Sequence, residues 1–300
     1  MAPTAVKQSW TVLELLNWTT DHFNKAGIEN PRLNAEVLLG HVLGLERIML
    51  YARFDQQVSE AHKDRFRDLV RRRASREPLQ YLTGRCEFYG RQFELTPAVM
   101  VPRQETELLV DKCLEKIGHG EFWAADVCTG SGVIAVTLAA EQPLLQIVAT
   151  DSSAEAIEVA ARNAAKHGVA DRVLLAAGDL TEPVRARLPA GLKGVDLLAS
   201  NPPYVPTAVI EQLEPEVRDY EPRAALDGGP DGLSVVRRLV PEAARILAPG
   251  GWLVMELGEG EADAMRNLVR EAGAFAVESI ETVTDSGGCE RVFCVHRAQH

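Results

Sequence analysis

The sequence predicts an α/β fold: a mainly parallel, doubly wound sheet with helices on both faces, preceded by a small all-helical N-terminal domain. Three observations predict it. From about residue 105, short β-branched runs alternate with stretches of helical period, which is the pattern of successive βαβ units. A glycine-rich turn, Thr129-Gly130-Ser131-Gly132, sits where the first of those strands gives way to a helix. The first eighty or so residues instead repeat their apolar positions only at helical spacing.

Taken in order, Val12, Leu13, Leu15 and Leu16 open one apolar face, and Leu33, Val37, Leu38 and Val42 make a second. Ser59 to Ser75 gives a third helix, with Phe66, Leu69 and Val70 inside a charged run that includes Arg71, Arg72 and Arg73; Pro78 closes it. The arginines read first as a solvated helix face and second as a docking surface. EFYGRQFELTP reads as a β-hairpin around Gly90, and a helix follows from near Glu105 with Leu108, Leu109, Cys113 and Leu114 on one side. Then come the strand FWAADVC, a helix from Gly132, the strand QIVATD, a helix from Ser153 to His167 stopped by Gly168, and the strands RVLLAAGD and VDLLASN. A helix around residues 235–247 leads through Pro249-Gly250-Gly251 into the strand WLVMEL. A helix near residues 262–272 precedes two strands, FAVESIETV and RVFCVHR, which Asp285-Ser286-Gly287-Gly288 joins as a hairpin at one sheet edge. The expected division is a helical domain over 1–84, a β-hairpin linker over 85–104 and the α/β domain over 105–300.

Composition narrows the function. With 46% hydrophobic and 25% charged residues the 300-residue chain can bury a sizeable core. It has no apolar run of membrane-spanning length and no apolar signal region after Met1. Its five cysteines are scattered and form no C-x-x-C pair, so neither a metal site nor a disulfide framework is expected, and a reducing cytoplasm fits. Residues 1–84 carry 12 Lys and Arg against 10 Asp and Glu, whereas the remainder carries 20 against 33. An acidic catalytic part repels a phosphate backbone and argues against nucleic acid as the main substrate.

The turn Cys128-Thr129-Gly130-Ser131-Gly132 offers glycines and a helix N-terminus to a ligand. Gly130-x-Gly132-x-x-Ala135 also matches the dinucleotide fingerprint, so a nicotinamide oxidoreductase competes at this point. Asp126 lies inside an apolar strand end, where it would orient the loop or meet the cationic end of a cofactor. Asp151 closes the second strand and would accept both ribose hydroxyls, while Gly178-Asp179-Leu180 closes the third beside the adenine. Each acid alone would serve as a helix N-cap. Three at successive strand ends point to a nucleotide cofactor, because ligands of open α/β sheets collect there.

Asn201-Pro202-Pro203-Tyr204, after the fourth strand, decides between the cofactors. Prolines cannot continue the ladder and have no N–H, so the chain leaves the sheet in a fixed extended conformation that offers carbonyls only. The Asn201 side-chain oxygen and the Pro202 carbonyl can accept both protons of an –NH2 group, with Tyr204 stacked on its flat face. That suits transfer of a methyl group from a sulfonium to a planar nitrogen, and an oxidoreductase or a non-catalytic binding protein has no use for it.

Gln80-Tyr81-Leu82-Thr83-Gly84 with Glu87-Phe88-Tyr89-Gly90, and Val101-Pro102-Arg103 with Glu105-Thr106-Glu107, join Asn201 to Tyr204 in one set of motifs. Glu221-Pro222, Ala225-Leu226, Asp231-Gly232-Leu233 and Asp285 to Arg291 extend the set. The resemblance these residues carry is to the HemK/PrmC family, the peptide chain release factor glutamine methyltransferases, and it covers nearly the whole length. It implies a Rossmann-like, seven-stranded class I methyltransferase domain using S-adenosyl-L-methionine, and a helical domain that helps dock a release factor. The implied target is the glutamine of the factor's Gly-Gly-Gln tip. Matching positions imply that Cys128 to Gly132, Asp151, Leu180 and Asn201 contact the cofactor, and that Asn201 to Tyr204 contact the glutamine. Cys128 stands where the family usually has glycine, Gln104 replaces a proline, and Leu180 stands where some members carry an aromatic residue. Two other substrates would use the same chemistry: a ribosomal-protein glutamine, and adenine N6 of nucleic acid.

Overall fold

The computed structural model describes residues 10–118 and 120–299. Residues 1–9, where no signal region is expected, lie outside the described residues. The chain divides into two compact units, one holding the chain up to Gly84 together with Pro215–Tyr220, the other Arg85–Glu214 with Glu221–His300. No helix among the described residues is long and apolar enough to cross a membrane.

The first unit contains α1 (Val12–Lys25), α2 (Pro31–Leu43), α3 (Arg47–Ala52), α4 (Glu60–Ala74) and α5 (Leu79–Thr83). Thr11 and Glu14 form a capping box at the start of α1, each side chain accepting from the other's main-chain N–H. Beside the helices there is one short antiparallel pair, β1 (Trp10–Thr11) with β2 (Gln57–Val58). It continues into N–H groups at the start of α1, which Gln56 and Phe54 carbonyls accept at 3.0 and 2.9 Å. These groups have no partner inside their own helix, which is why a strand-like contact forms in a helical unit. Phe23, Leu38, Leu39, Leu50 and Phe66 fill the core. Leu13 and Leu33, expected on apolar faces, are instead exposed. The buried stripe of α2 runs through Ala35, Leu38, Leu39 and Val42, a register that leaves Leu33 outside.

The arginine run is paired rather than free. Arg71 meets Asp68 at 2.7 Å, and Arg72 meets Glu77. Arg73 is buried and donates to Asn34 Oδ1 at 2.8 Å and Glu216 Oε1 at 2.9 Å. Arg76 also reaches Glu216, and the Tyr220 hydroxyl donates to the Ser75 carbonyl. These bonds explain why Pro215–Tyr220 is counted with a unit from which it is far removed in sequence.

The second unit opens with a hairpin, β3 (Arg85–Phe88) and β4 (Arg91–Glu94), turned at Tyr89 and Gly90, both of positive φ. Although 85–104 reads in sequence as a linker, this hairpin is tied into the α/β unit by the wholly buried Asn163. Its amide exchanges hydrogen bonds with the Glu94 main chain and donates to the Ser131 carbonyl. There follow α6 (Thr106–Lys116), β5 (Phe122–Val127), α7 (Val133–Glu141), β6 (Leu145–Asp151), α8 (Ala154–Lys166), β7 (Val173–Ala177), α9 (Glu182–Arg187) and β8 (Val195–Ser200). β9 (Leu247–Glu256), β10 (Glu281–Thr284) and β11 (Glu290–His296) complete a seven-stranded sheet of order β7-β6-β5-β8-β9-β11-β10. β11 runs antiparallel to β9 and β10, and the other strand pairs of the sheet are parallel. The expected Rossmann-like architecture is therefore present.

Two local readings differ from expectation. The ladder of β9 runs through Pro249-Gly250-Gly251, with a register slip against β8 between Val195 and Leu197. FAVESIETV is not one strand: Val277–Ser279 is a 3₁₀ turn. The Ser279 hydroxyl donates to the Ala276 carbonyl at 2.6 Å and accepts from His296 N–H at 3.1 Å, competing with the ladder there.

The first unit also contains a buried carboxylate. Burial alone would raise the Glu36 carboxyl, but hydrogen bonds from Tyr51, Arg47 and Arg32 hold it below its ordinary range. Replacing Glu36 by Ala would leave two guanidinium groups uncompensated. Removing one partner of a fully buried ion pair costs about 3–5 kcal/mol. Arg32 and Arg47 remain partly hydrated, so Glu36→Ala should cost about 2–3 kcal/mol in urea unfolding at pH 7. The cost should vanish in acid, since stability from a depressed carboxyl is lost as pH falls through its folded value.

Candidate active site

β5 and β8 are hydrogen-bonded neighbours, Asp126 opposite Ala199 and Val127 opposite Ser200. The chain leaves β5 toward β6 on one side and reaches β8 only after β7, so the sheet reverses its strand order at this pair. Loops leaving the carboxyl ends of β5 and β8 diverge there, which is where open α/β sheets form their clefts. A cavity of about 220 Å³ occupies that position. Its walls include Cys128, Thr129, Gly130 and Ser131 after β5, Asp151 to Ser153 after β6, and Asn201 and Pro203 after β8.

The glycine loop is held from three sides. Thr129 N–H donates to the Thr150 carbonyl at 2.9 Å, Gly130 N–H donates to Asp151 Oδ2 at 2.9 Å, and Asn163 holds the Ser131 carbonyl. Cys128, Gly130 and Gly132 all have positive φ. Gly132 is the position where only glycine fits. Its φ is +81°, and a Cβ would stand 3.0 Å from that of Ala160 on α8. Cys128 adopts the left-handed backbone (φ 63°) that favours glycine, at a cost of roughly 1–2 kcal/mol. Burial pushes the thiol pKa up. Gln104 is exposed, at the turn that enters α6.

The three strand-end acids divide. Asp151 lines the cavity; its Oδ1 accepts from Ser153 N–H at 2.9 Å, and burial raises its pKa. Asp126 is wholly buried beneath the loop and is not part of the wall. Its Oδ2 accepts from the Thr129 hydroxyl at 2.6 Å and Ala135 N–H at 3.1 Å, and its Oδ1 has no partner. Asp179 points away to an ion pair with Arg238, and Leu180 is buried with its carbonyl accepting from the Thr150 hydroxyl; neither lines the cavity.

At the other wall, Asn201 and Pro203 face the cavity while Pro202 is buried. Tyr204 lies outside the wall, its hydroxyl donating to Glu256 Oε1 at 3.2 Å, and burial raises its pKa. Asn201 Nδ2 donates to the Thr106 hydroxyl oxygen at 3.3 Å, and that hydroxyl donates to Glu256 Oε2 at 2.7 Å. Thr106 and Glu256 were not among the expected site residues. Thr106 stood in the Glu105-Thr106-Glu107 motif only as part of the family resemblance, and Glu256 showed only as an acid at the end of the strand WLVMEL. Thr106 itself lines the cavity, and the remaining wall comes from Ala98, Val99, Met100 and Pro102 before α6, from Val133, Ile134 and Ala156, and from Pro222, Ala224 and Ala225. Glu221 beside them is buried against Arg103 at 2.6 Å; burial raises its pKa, and Oε2 has no partner.

Comparison with known proteins decides what this cleft belongs to. Residues 14–84 match the family described as PrmC N-terminal domain, and residues 104–213 match the methyltransferase small domain. A release factor glutamine methyltransferase of Geobacter sulfurreducens is 45% identical over 94% of this chain and 95% of its own length. Its counterpart in Moorella thermoacetica is 44% identical over 96% and 99%. The chain belongs to the release factor glutamine methyltransferase family. Among solved structures, the catalytic domain of hMettl16 in complex with the MAT2A 3′UTR hairpin 6 superposes with a TM-score of 0.54, over 82% of this chain and 85% of that one. At 12% identity that likeness concerns the fold alone.

The family's cofactor, S-adenosyl-L-methionine, fits the residues present. The cleft offers a glycine loop, a strand-end carboxylate and, beneath the loop, a buried carboxylate with a spare oxygen.

Asp126 makes stability depend on pH. Burial, opposed by its two hydrogen bonds, raises its pKa to about 7. Its charged form costs more in the fold than in the unfolded chain, so stability is lost as pH rises from about 4 to about 7. Asp126→Asn should therefore melt higher relative to the parent at pH 8 than at pH 5. Parallel melting profiles would remove the charge from Asp126 as the cause.

Proposed function

We infer that the protein transfers a methyl group from S-adenosyl-L-methionine to the side-chain amide nitrogen of the glutamine in the Gly-Gly-Gln motif of peptide chain release factors. The observation that carries this reading is Asn201 and Pro203 sharing one cavity with the glycine loop and Asp151. The glycine loop would lie against the cofactor's amino-acid end above Asp126, with Gly130 leaving room for its close approach. Asp151, with lone pairs left after its two main-chain bonds, would take the ribose hydroxyls. Bound S-adenosyl-L-methionine supplies an electrophilic methyl on sulfur.

This chain's part is to make an amide nitrogen reactive. An amide lone pair is delocalised into its carbonyl, so the nitrogen must pyramidalise and gain positive charge to form a new bond. Asn201 Oδ1 and the Pro202 carbonyl would accept its two protons. They favour the charged nitrogen more than the neutral amide, which is what acceleration requires. Neither Pro202 nor Pro203 has an N–H, so the corner sets no main-chain donor of its own against the incoming –NH2 group. One well-placed dipole of this kind is worth about 10²–10³ in rate, and in-line orientation adds to it. No strong base is needed, because the proton turns acidic once the bond has formed. Tyr204, anchored through its hydroxyl, would flank the flat amide.

The helical unit would help dock the release factor. Five unpaired cysteines support a cytoplasmic setting. The acidic balance of residues 85–300 favours a protein over a nucleic-acid acceptor.

Asn201→Ala should lower turnover by about 10²–10³-fold or more while leaving S-adenosyl-L-methionine affinity within about threefold. The check is methyl transfer from labelled cofactor to a release factor, with a ribosomal protein fraction and nucleic acid as alternative acceptors. Label found only in nucleic acid, or undiminished turnover in the variant, would overturn the reading.

A further inference from the structure

Glu256 takes no part in the cavity wall, yet it is only 1% exposed and both its oxygens are engaged by hydroxyls that lead back to the corner after β8. We propose that Glu256 and Thr106 are positioning residues that hold the Asn201 side-chain amide in one of its two orientations, with Oδ1 toward the incoming amide. This rests on the reading of Asn201 as the acceptor.

A threonine hydroxyl has one proton. Thr106 gives its proton to Glu256 at 2.7 Å, so toward Asn201 its oxygen can only accept. The group of Asn201 that stands 3.3 Å from it is accordingly Nδ2. The two ends of an asparagine amide are nearly alike in shape, and rotation by half a turn exchanges them. In the exchanged orientation Nδ2 would aim protons at an –NH2 group, donor against donor. The acceptor would be lost and a repulsion put in its place. The Tyr204 hydroxyl occupies the other carboxylate oxygen, so Glu256 is fixed from both sides. Burial raises its pKa, with the Thr106 and Tyr204 hydroxyls and the nearby Arg291 opposing that rise. The relay selects an orientation; it moves no proton during the reaction.

The test uses the full chain with a release factor as acceptor. Thr106→Val keeps the shape and removes the hydroxyl. Its kcat should fall about 10- to 100-fold, as for a lost oriented hydrogen bond, with KM for the acceptor and the calorimetric cofactor affinity within about twofold. Thr106→Ser restores the hydroxyl and should recover kcat to within about threefold. Glu256→Gln allows either amide end to face Thr106 and should lower kcat severalfold without lowering the melting temperature. It serves as a second variant should Thr106→Val fold poorly. The proposal is overturned by wild-type kcat in Thr106→Val, by failure of Thr106→Ser alongside it, or by a kcat loss matched by an equal loss of cofactor affinity. Asn201→Ala measured in parallel separates the two ideas. If it is inactive while Thr106→Val is fully active, only the relay falls; if it is active, the acceptor role of Asn201 falls as well.

Discussion

The pairing of β5 with β8 is the constraint on which the rest of the molecule depends. Parallel strands joined in sequence by helices ordinarily march in one direction across a sheet. Here the chain builds outward from β5 through β6 to β7, then returns to lay β8 on the opposite side of β5. The loops after β5 and β8 are some seventy residues apart in sequence but are forced to leave neighbouring strand ends in opposite directions. The Ser200 hydroxyl, donating to the Val127 carbonyl at 2.7 Å, locks the two strand ends together just before the loops part. A cleft between a glycine loop and a proline corner is therefore a consequence of strand order. The side chains only furnish it.

How it is furnished runs against stability. Asp126, Asp151, Glu221 and Glu256 are all raised by burial, and Asp126 and Glu221 each leave one oxygen without a partner. A domain selected for stability alone would replace such groups with apolar ones. Their gathering around one cavity is what a site looks like when it must meet ligands carrying positive charge and N–H or O–H donors. Asp126 and Glu256 act from beneath the surface, the first bracing the glycine loop and the second bracing the corner through hydroxyls. The cavity itself is lined mostly by neutral and apolar groups, which keeps the surroundings of the proposed acceptor free of competing charges.

Much of this was legible in the sequence because backbone chemistry wrote it. Glycines at a strand-to-helix turn and two prolines after a buried strand restrict the chain whatever surrounds them, so the loop and the corner were found where expected. Asp151 was legible for the same reason, since it sits at a strand end. Residues whose meaning depends on distant partners were not. Thr106 meets Glu256 across 150 positions of sequence, and Asn163 reaches the loop and the hairpin from the last turn of α8. Asp179 ends a strand as Asp151 does, yet its side chain pairs with Arg238 and does not line the cavity. Leu13 and Leu33 read as core because helical period marks a face only to within a residue or so. Ser279 broke a strand by hydrogen-bonding its own backbone, a competition that β-propensity does not register.

Substrate choice is the step that fold cannot supply. A similar fold occurs in a catalytic domain solved in complex with an RNA hairpin, at 12% identity, so the fold alone does not name the acceptor. A proline corner that presents oxygens to an –NH2 group serves equally well for adenine and for glutamine, since both nitrogens are planar and deactivated by a neighbouring π-system. What separates the two acceptors is what they are attached to. An adenine arrives on a polyanion, and binding it favours a basic groove with counterions to release. Residues 85–300 carry 20 basic against 33 acidic residues, and the cavity wall contributes Asp151 but neither Lys nor Arg. A protein loop of the Gly-Gly-Gln kind brings no such charge, and two glycines give its glutamine the narrow approach that a cleft between two loops requires. The charge balance of the domain thus supports the protein acceptor we infer over a polyanionic one.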